Sequence, residues 1–161
     1  LEKAQLMDSL QAANPGLYTH SNNIIKDKGH WMERIDTAAI NWMAQYRRNP
    51  YPKKVMWRQE LVTRSHFYWL AAPAEELQQG KTIAASITGN TIDIQQCDYS
   101  RLTIYLNDSL VDLDNEVTVR YKGKRVACVK PKRTIANMHR NLFERGDRSY
   151  AFPAIIEVKL K

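Results

Sequence analysis

The spacing of hydrophobic and polar positions changes near residue 50. Before that point it has a helical period, since Leu6, Leu10 and Ala13 stand at i, i+4 and i+7. A first helix should therefore end at Asn14-Pro15-Gly16, a cluster of helix-breaking residues.

A strand and a second helix should follow. The short run that contains Ile24 and Ile25 predicts a strand within residues 18–26. A broad apolar stripe at positions i, i+4, i+7, i+8 and i+11 then predicts a helix, and its members are Ile35, Ala39, Trp42, Met43 and Tyr46. The order predicted for residues 1–50 is helix, strand, helix.

After residue 50 the period is that of strands. Residues 82–88 and 91–95 should pair across Gly89-Asn90, a two-residue turn with the chemistry that positive φ requires. Lys122-Gly123 should turn the chain between two further strands. Roughly seven strands at this spacing favour an antiparallel sandwich over residues 51–161.

One helix interrupts these strands. Thr134 suits its N-cap and Gly146 its C-terminal stop, and its apolar positions are Ile135, Met138, Leu142 and Phe143. The predicted fold class is α+β, with a helix-strand-helix segment over 1–50 and a β-sandwich-like domain with one covering helix over 51–161.

Composition supports a folded chain with a real core. The 161 residues are 43% hydrophobic, enough for one ordinary domain or a small domain with a fragment of another. Apolar runs are too short to span a bilayer, so no membrane partner is expected. The chain opens with LEKAQLMDSLQAA, already helical in pattern and without an initiator Met, which predicts a cut end. The localisation of a longer parent protein, whether secreted, periplasmic or other, is then unknown.

The net charge of +7 is concentrated after residue 50, where it amounts to +6. Much of it lies in RYKGKRVACVKPKR, from Arg120 to Arg133, where no acidic residue interrupts the sequence. Such a hairpin could bind phosphate groups. Lysine and arginine also occur at the edge of a sheet, where they prevent pairing with the strands of other molecules. Because no known nucleic-acid motif accompanies the charge, nucleic acid is not an expected partner.

Neither cysteine nor histidine spacing predicts a metal site or another cofactor. Cys97 and Cys128 could bridge two strands or remain free thiols, and one pair provides no metal cage. The remaining candidates lack ligand spacing or a calcium-loop pattern; they are His20, His66, His139, Asp108, Asp112 and Asp114.

Gly29-His30-Trp31 lies between the predicted strand and the second helix. The stretch DKGHWMERIDTAAINWMAQYRRNPYPKKVMWRQ, followed by HFYWL, resembles the C-terminal part of esterase or prolyl-oligopeptidase-like α/β hydrolases. RLTIYLNDSLVDLDNEVTVRYKGK and FERGD are similar to a β-rich domain appended to them. The resemblance implies that residues 1–50 are a remnant of a hydrolase core and that His30 corresponds to the base of a catalytic triad.

No other triad member is present, since the chain has no GxSxG motif and none of its serines stands in a glycine elbow. The expected function is that of a C-terminal fragment of a serine-type hydrolase, inactive alone. Its expected partners are the rest of the parent chain or, for the isolated fragment, a second copy.

Aromatic residues suggest a different function class. Trp57, Phe67, Tyr68 and Trp69 could stack on sugar rings if they lay on an exposed sheet face, or they could fill the core. The alternative function is thus a stand-alone β-sandwich module that binds glycans or protein surfaces.

Overall fold

The computed structural model describes residues 2–13, 19–23, 25–30 and 32–160. The chain divides into two compact units, Leu1–Arg47, called the N-terminal unit here, and Arg48–Lys161, called the β-rich unit. The described part is α+β, with two mostly antiparallel sheets, as the sequence predicted. No described helix is long and apolar enough to cross a membrane.

The N-terminal unit contains two α-helices, α1 (Glu2–Ala13) and α2 (Ala38–Met43), with a 3-10 helix at Met32–Thr37 directly before α2. The predicted end of the first helix, residues 14–16, lies outside the described residues. The second helix is shorter than predicted because Glu33 and Arg34 adopt positive φ angles of 50° and 66°, which interrupt a regular α-helix.

The strand predicted within residues 18–26 does not form in its described part. Residues 19–23 and 25–26 have no strand structure, and residues 18 and 24 lie outside the described residues. A strand requires a neighbour for its backbone hydrogen bonds. Among the described residues, neither sheet includes a strand from this segment, so the prediction is wrong for residues 19–23 and 25–26.

The β-rich unit contains nine strands in the part of the chain that is described. They are β1 (Lys54–Arg58), β2 (His66–Phe67), β3 (Leu70–Ala71), β4 (Thr82–Thr88), β5 (Thr91–Cys97), β6 (Arg101–Leu106), β7 (Val117–Tyr121), β8 (Lys124–Val129) and β9 (Ala154–Lys159). One sheet has the order β1-β4-β5-β7-β8 and the other β2-β3-β6-β9. β5 and β7 pair in parallel, which the antiparallel prediction did not include.

The two sheets share one hydrophobic core. Alternate residues of each strand are buried, for example Ile83, Ala85 and Ile87 on β4, as expected for strands with one face covered. They join residues of the second sheet, including Leu102 and Ile104, in a single buried cluster. Both predicted turns form, with Gly89 at φ 54° and Gly123 at φ 79°.

The helix α3 (Ile135–Arg145) has the predicted caps but not the expected buried face. The Thr134 hydroxyl accepts a hydrogen bond from the Asn137 N–H at 3.1 Å, and Gly146 closes the helix at φ 62°. Ile135 and Phe143 are 87% and 85% exposed, whereas Asn141 is fully buried. Asn141 lies inward because its Nδ2 donates to the carbonyls of Asn137 and Phe152, at 2.8 and 3.3 Å.

Candidate functional site

His30 lies in an exposed turn before the 3-10 helix of the N-terminal unit. The turn is closed by a hydrogen bond from the Met32 N–H to the Gly29 carbonyl, at 3.0 Å. Trp31, the third residue of the junction, lies outside the described residues. An exposed imidazole at the start of a helix is accessible to groups from other chain segments, as a catalytic base must be. The catalytic role of His30 remains a prediction.

The aromatic residues of the predicted glycan surface divide between the core and a surface cleft. Trp69 is fully buried and Trp57 is 7% exposed, so both fill the core and neither can stack on a sugar. Phe67 and Tyr68 are half-buried. Tyr68 and Trp69 form the turn between β2 and β3 and are not part of a continuous strand.

A cleft of about 560 Å³ lies beside that turn, entirely within the β-rich unit. Its volume is in the range of small-ligand sites. The polar cleft, as we call it, is lined by Arg48, residues 63–68, Glu144, Arg145, Asp147 and Tyr150. It therefore brings HFY and ERGD, two separate stretches of the sequence, to one place.

Tyr68 has strained backbone geometry at the edge of the polar cleft. Its φ of 52° is rare for a bulky residue and costs of order 1–3 kcal/mol, so surrounding contacts must hold it. Its carbonyl accepts a hydrogen bond from Arg145 Nη1 at 2.8 Å. Its ring packs edge-on against Phe67 and Tyr150, with centroids 4.9 and 6.4 Å apart. These contacts fix the Tyr68 ring at the mouth of the cleft.

Arg145 occupies an aromatic cage at the base of the cleft. Its guanidinium carbon lies 4.9 Å from the ring centre of Tyr105, 5.0 Å from that of Tyr150 and 5.4 Å from that of Phe152. Its Nε and Nη2 are buried without a hydrogen-bond partner. Burial lowers the pKa of Arg145, although an arginine stays protonated at neutral pH. The rings and the Tyr68 carbonyl therefore stabilise a buried cation.

Replacing Arg145 with methionine should destabilise the β-rich unit by about 2 kcal/mol, since the change removes a charged hydrogen bond and several cation–π contacts but also the cost of burying a charge. Urea unfolding followed by circular dichroism measures the loss. Arg140→Met, at an exposed position of the same helix, should change stability by less than about 0.5 kcal/mol. Equal stability of Arg145→Met and the unmodified chain would contradict a stabilising role for the cage.

His66 connects several groups along one wall of the polar cleft. Its Nδ1 lies 3.0 Å from Ser65 Oγ, and its Nε2 lies 3.2 Å from the Tyr105 hydroxyl. Glu144 Oε2 is 3.7 Å from the same Nε2. Burial, and secondly the positive charge of Arg145, lower the pKa of His66. The imidazole is therefore neutral at pH 7, with a hydroxyl beside each ring nitrogen.

The opposite wall is held by an ion pair. Arg48 Nη2 donates to Asp147 Oδ2 at 2.5 Å, and Arg48 Nη1 donates to the Tyr150 hydroxyl at 2.8 Å. Hydrogen bonds from the Ser149 N–H, and secondly from Arg48, lower the pKa of Asp147. Arg48 thus contributes to the cleft.

The basic segment from Arg120 to Arg133 includes β8, the last strand of the five-stranded sheet. β8 is an edge strand, consistent with a protective role for its lysine and arginine side chains. Arg133 has acidic neighbours that the local sequence did not reveal, since it pairs with Asp108 at 2.5 Å and with Asp114 at 2.7 Å. Neither cysteine is part of a disulfide bond; Cys97 is buried and Cys128 is exposed. Across the described ranges no cluster of three or more potential metal ligands occurs.

Comparison with protein-family models, with curated proteins and with solved structures finds no match for this chain. The sequence pattern did not identify the polar cleft because its two main segments, residues 63–68 and 144–150, are about 80 residues apart. The only available signal was the concentration of aromatic and charged residues in SHFYW and FERGD.

Proposed function

We propose that the chain is the C-terminal segment of a serine-type α/β hydrolase, which cleaves esters or peptides, and that His30 is its catalytic base. The observation that carries this proposal is the lack of a core in the N-terminal unit, where no described residue is buried. Large apolar side chains are exposed there, among them Leu6 at 58% and Ile40 at 62%. A surface of this kind is typical of a segment that packs against more protein.

The failed strand supports the same proposal. A parallel strand of a hydrolase core pairs with strands from earlier in the chain, and its helices cover the sheet faces. Without those strands, residues 19–23 and 25–26 remain irregular. The proposed partner is therefore the upstream part of the same parent protein. In its absence, self-association through these apolar residues is expected.

In the proposed reaction, His30 takes the proton from an upstream serine as that serine attacks the carbonyl carbon. It then returns the proton to the leaving group, and an upstream acid orients the imidazole. The chain by itself should have no hydrolase activity, because it carries no serine in the GxSxG setting of this hydrolase class.

Determining the coding sequence upstream of Leu1 tests the proposal most directly. We expect an in-frame glycine-flanked serine, followed by an acidic residue at the end of a strand shortly before Leu1. A start codon or a signal peptide within a few residues of Leu1 would contradict the hydrolase assignment, since no nucleophile could then precede His30.

A second function, ligand binding by the β-rich unit, is favoured by the polar cleft. The cleft collects aromatic, hydroxyl, carboxylate and guanidinium groups on a unit that has its own core. Rigid, well-packed scaffolds with a few convergent polar groups are typical of binding sites. In the parent, such a module would hold substrate near the hydrolase core; as a separate module, it would bind on its own.

A further inference from the structure

We infer that the polar cleft of the β-rich unit binds an acidic sugar, a saccharide ring that carries one carboxylate. This inference rests on the second function proposed above, ligand binding by the β-rich unit, and is independent of the hydrolase assignment. Three features carry it: the charge of the cleft, the fixed position of Arg64, and the chemistry of the lining.

The first feature is a surplus of positive charge. Three arginines are among the lining residues of the cleft, Arg48, Arg64 and Arg145, against two acidic residues, Glu144 and Asp147. Arg48 is paired with Asp147, whereas no salt bridge of Arg64 or Arg145 is found among the described residues. Since His66 is neutral at pH 7, the surplus is one charge. A single carboxylate matches that surplus better than a doubly charged phosphate does.

The second feature is the fixed backbone at Arg64. Gln59 is 1% exposed, and its Nε2 donates to the Arg64 carbonyl at 3.0 Å. The Arg64 N–H in turn donates to the Leu61 carbonyl at 3.2 Å. Arg64 is an exposed residue of the cleft lining, while the unpaired nitrogens of Arg145 are buried. Arg64 is therefore the group that a carboxylate can reach, and guanidinium binds carboxylate in a bidentate way.

The third feature is the lining, which suits a sugar better than an apolar peptide end. Among the described lining residues only Phe67 lacks a polar side-chain group. Glu144 and Asp147 can accept hydrogen bonds from sugar hydroxyls, and the Ser65 hydroxyl can donate or accept. Tyr68 is also a lining residue, held by its ring contacts with Phe67 and Tyr150, and the face of an aromatic ring can pack on the apolar side of a sugar. A volume of about 560 Å³ accommodates a small saccharide.

Calorimetric titration of this chain with galacturonic acid and with its neutral methyl ester tests the inference. The two ligands share one sugar ring and differ only in the carboxylate. We expect the acid to bind at least about tenfold more tightly than the ester at low salt. Arg64→Gln should remove that preference, and Arg120→Gln, at an exposed site outside the cleft, should keep it.

Each other outcome overturns a different statement. Equal binding of acid and ester would overturn the carboxylate assignment and leave saccharide binding in place. If Arg120→Gln removed the preference for the acid to the same extent as Arg64→Gln, that preference would come from general attraction between charges and would not indicate a site at the cleft. Tighter binding of a dipeptide with a free C-terminal carboxylate would overturn the saccharide class. No binding of any probe at about 10 mM would overturn both the inference and the proposed binding function.

Discussion

In the proposed parent hydrolase, His30→Ala should lower kcat by about 10⁴- to 10⁶-fold, the loss found when a triad base is removed. The loss is large because the serine hydroxyl is a weak nucleophile until a base takes its proton. KM should change little, since the imidazole acts in the chemical step. His30 lies in an exposed turn of the chain, so the substitution should leave the fold intact.

Hydrolysis of a p-nitrophenyl ester by the parent protein measures this effect. His139→Ala is the matched control, because His139 is an exposed histidine on α3 with no proposed role. The control should retain full activity, and the thermal unfolding midpoints of both variants should equal that of the parent. A His30→Ala enzyme that kept more than about a tenth of the parent kcat would contradict the role of His30 as base.

Trp69→Ala should destabilise the β-rich unit by about 3–5 kcal/mol, the usual cost of truncating a large buried aromatic side chain. Trp69 is fully buried, and its indole Nε1 donates to the Pro52 carbonyl at 2.7 Å. The substitution creates a cavity and also removes the donor from that carbonyl. Because small domains have total stabilities of only about 5–15 kcal/mol, this loss is a large fraction of the stability of the unit.

Urea unfolding followed by far-UV circular dichroism measures the Trp69 effect. Met56→Ala is the control, since Met56 is 74% exposed on β1 and should change stability by less than about 0.5 kcal/mol. A loss below about 1 kcal/mol for Trp69→Ala would contradict the packing described here. Loss of saccharide binding in this variant would report unfolding, so Trp69 is unsuitable as a probe of the cleft.

The local signals in the sequence were sufficient to predict most of the secondary structure of the β-rich unit. The turn at Gly89-Asn90 and the caps Thr134 and Gly146 formed as predicted, because each depends on the conformational preferences of neighbouring residues. The predicted strand near Ile25 did not form, because a strand depends on partners that a local pattern cannot provide.

The polar cleft and the buried face of α3 could be identified only from the tertiary structure. Periodicity marked Ile135 and Phe143 as the apolar face of the helix, yet both are exposed, while Asn141 is buried. Asn141 and Arg145 are held inward by specific partners, the carbonyls of Phe152 and Tyr68. Such partners outweigh the average preference of a residue type, and they are known only when distant segments are seen together.

By itself, the sequence determined the α+β class, the change of period near residue 50 and the turns and caps of the β-rich unit. Only the tertiary structure decided that Trp69 fills the core, that Arg133 pairs with Asp108 and Asp114, and that Arg48, Arg64 and Arg145 surround one cleft. The physical reason is range: turns, caps and periodicity depend on residues a few positions apart, whereas burial and ion pairing depend on residues that the folded chain brings together from far apart in sequence.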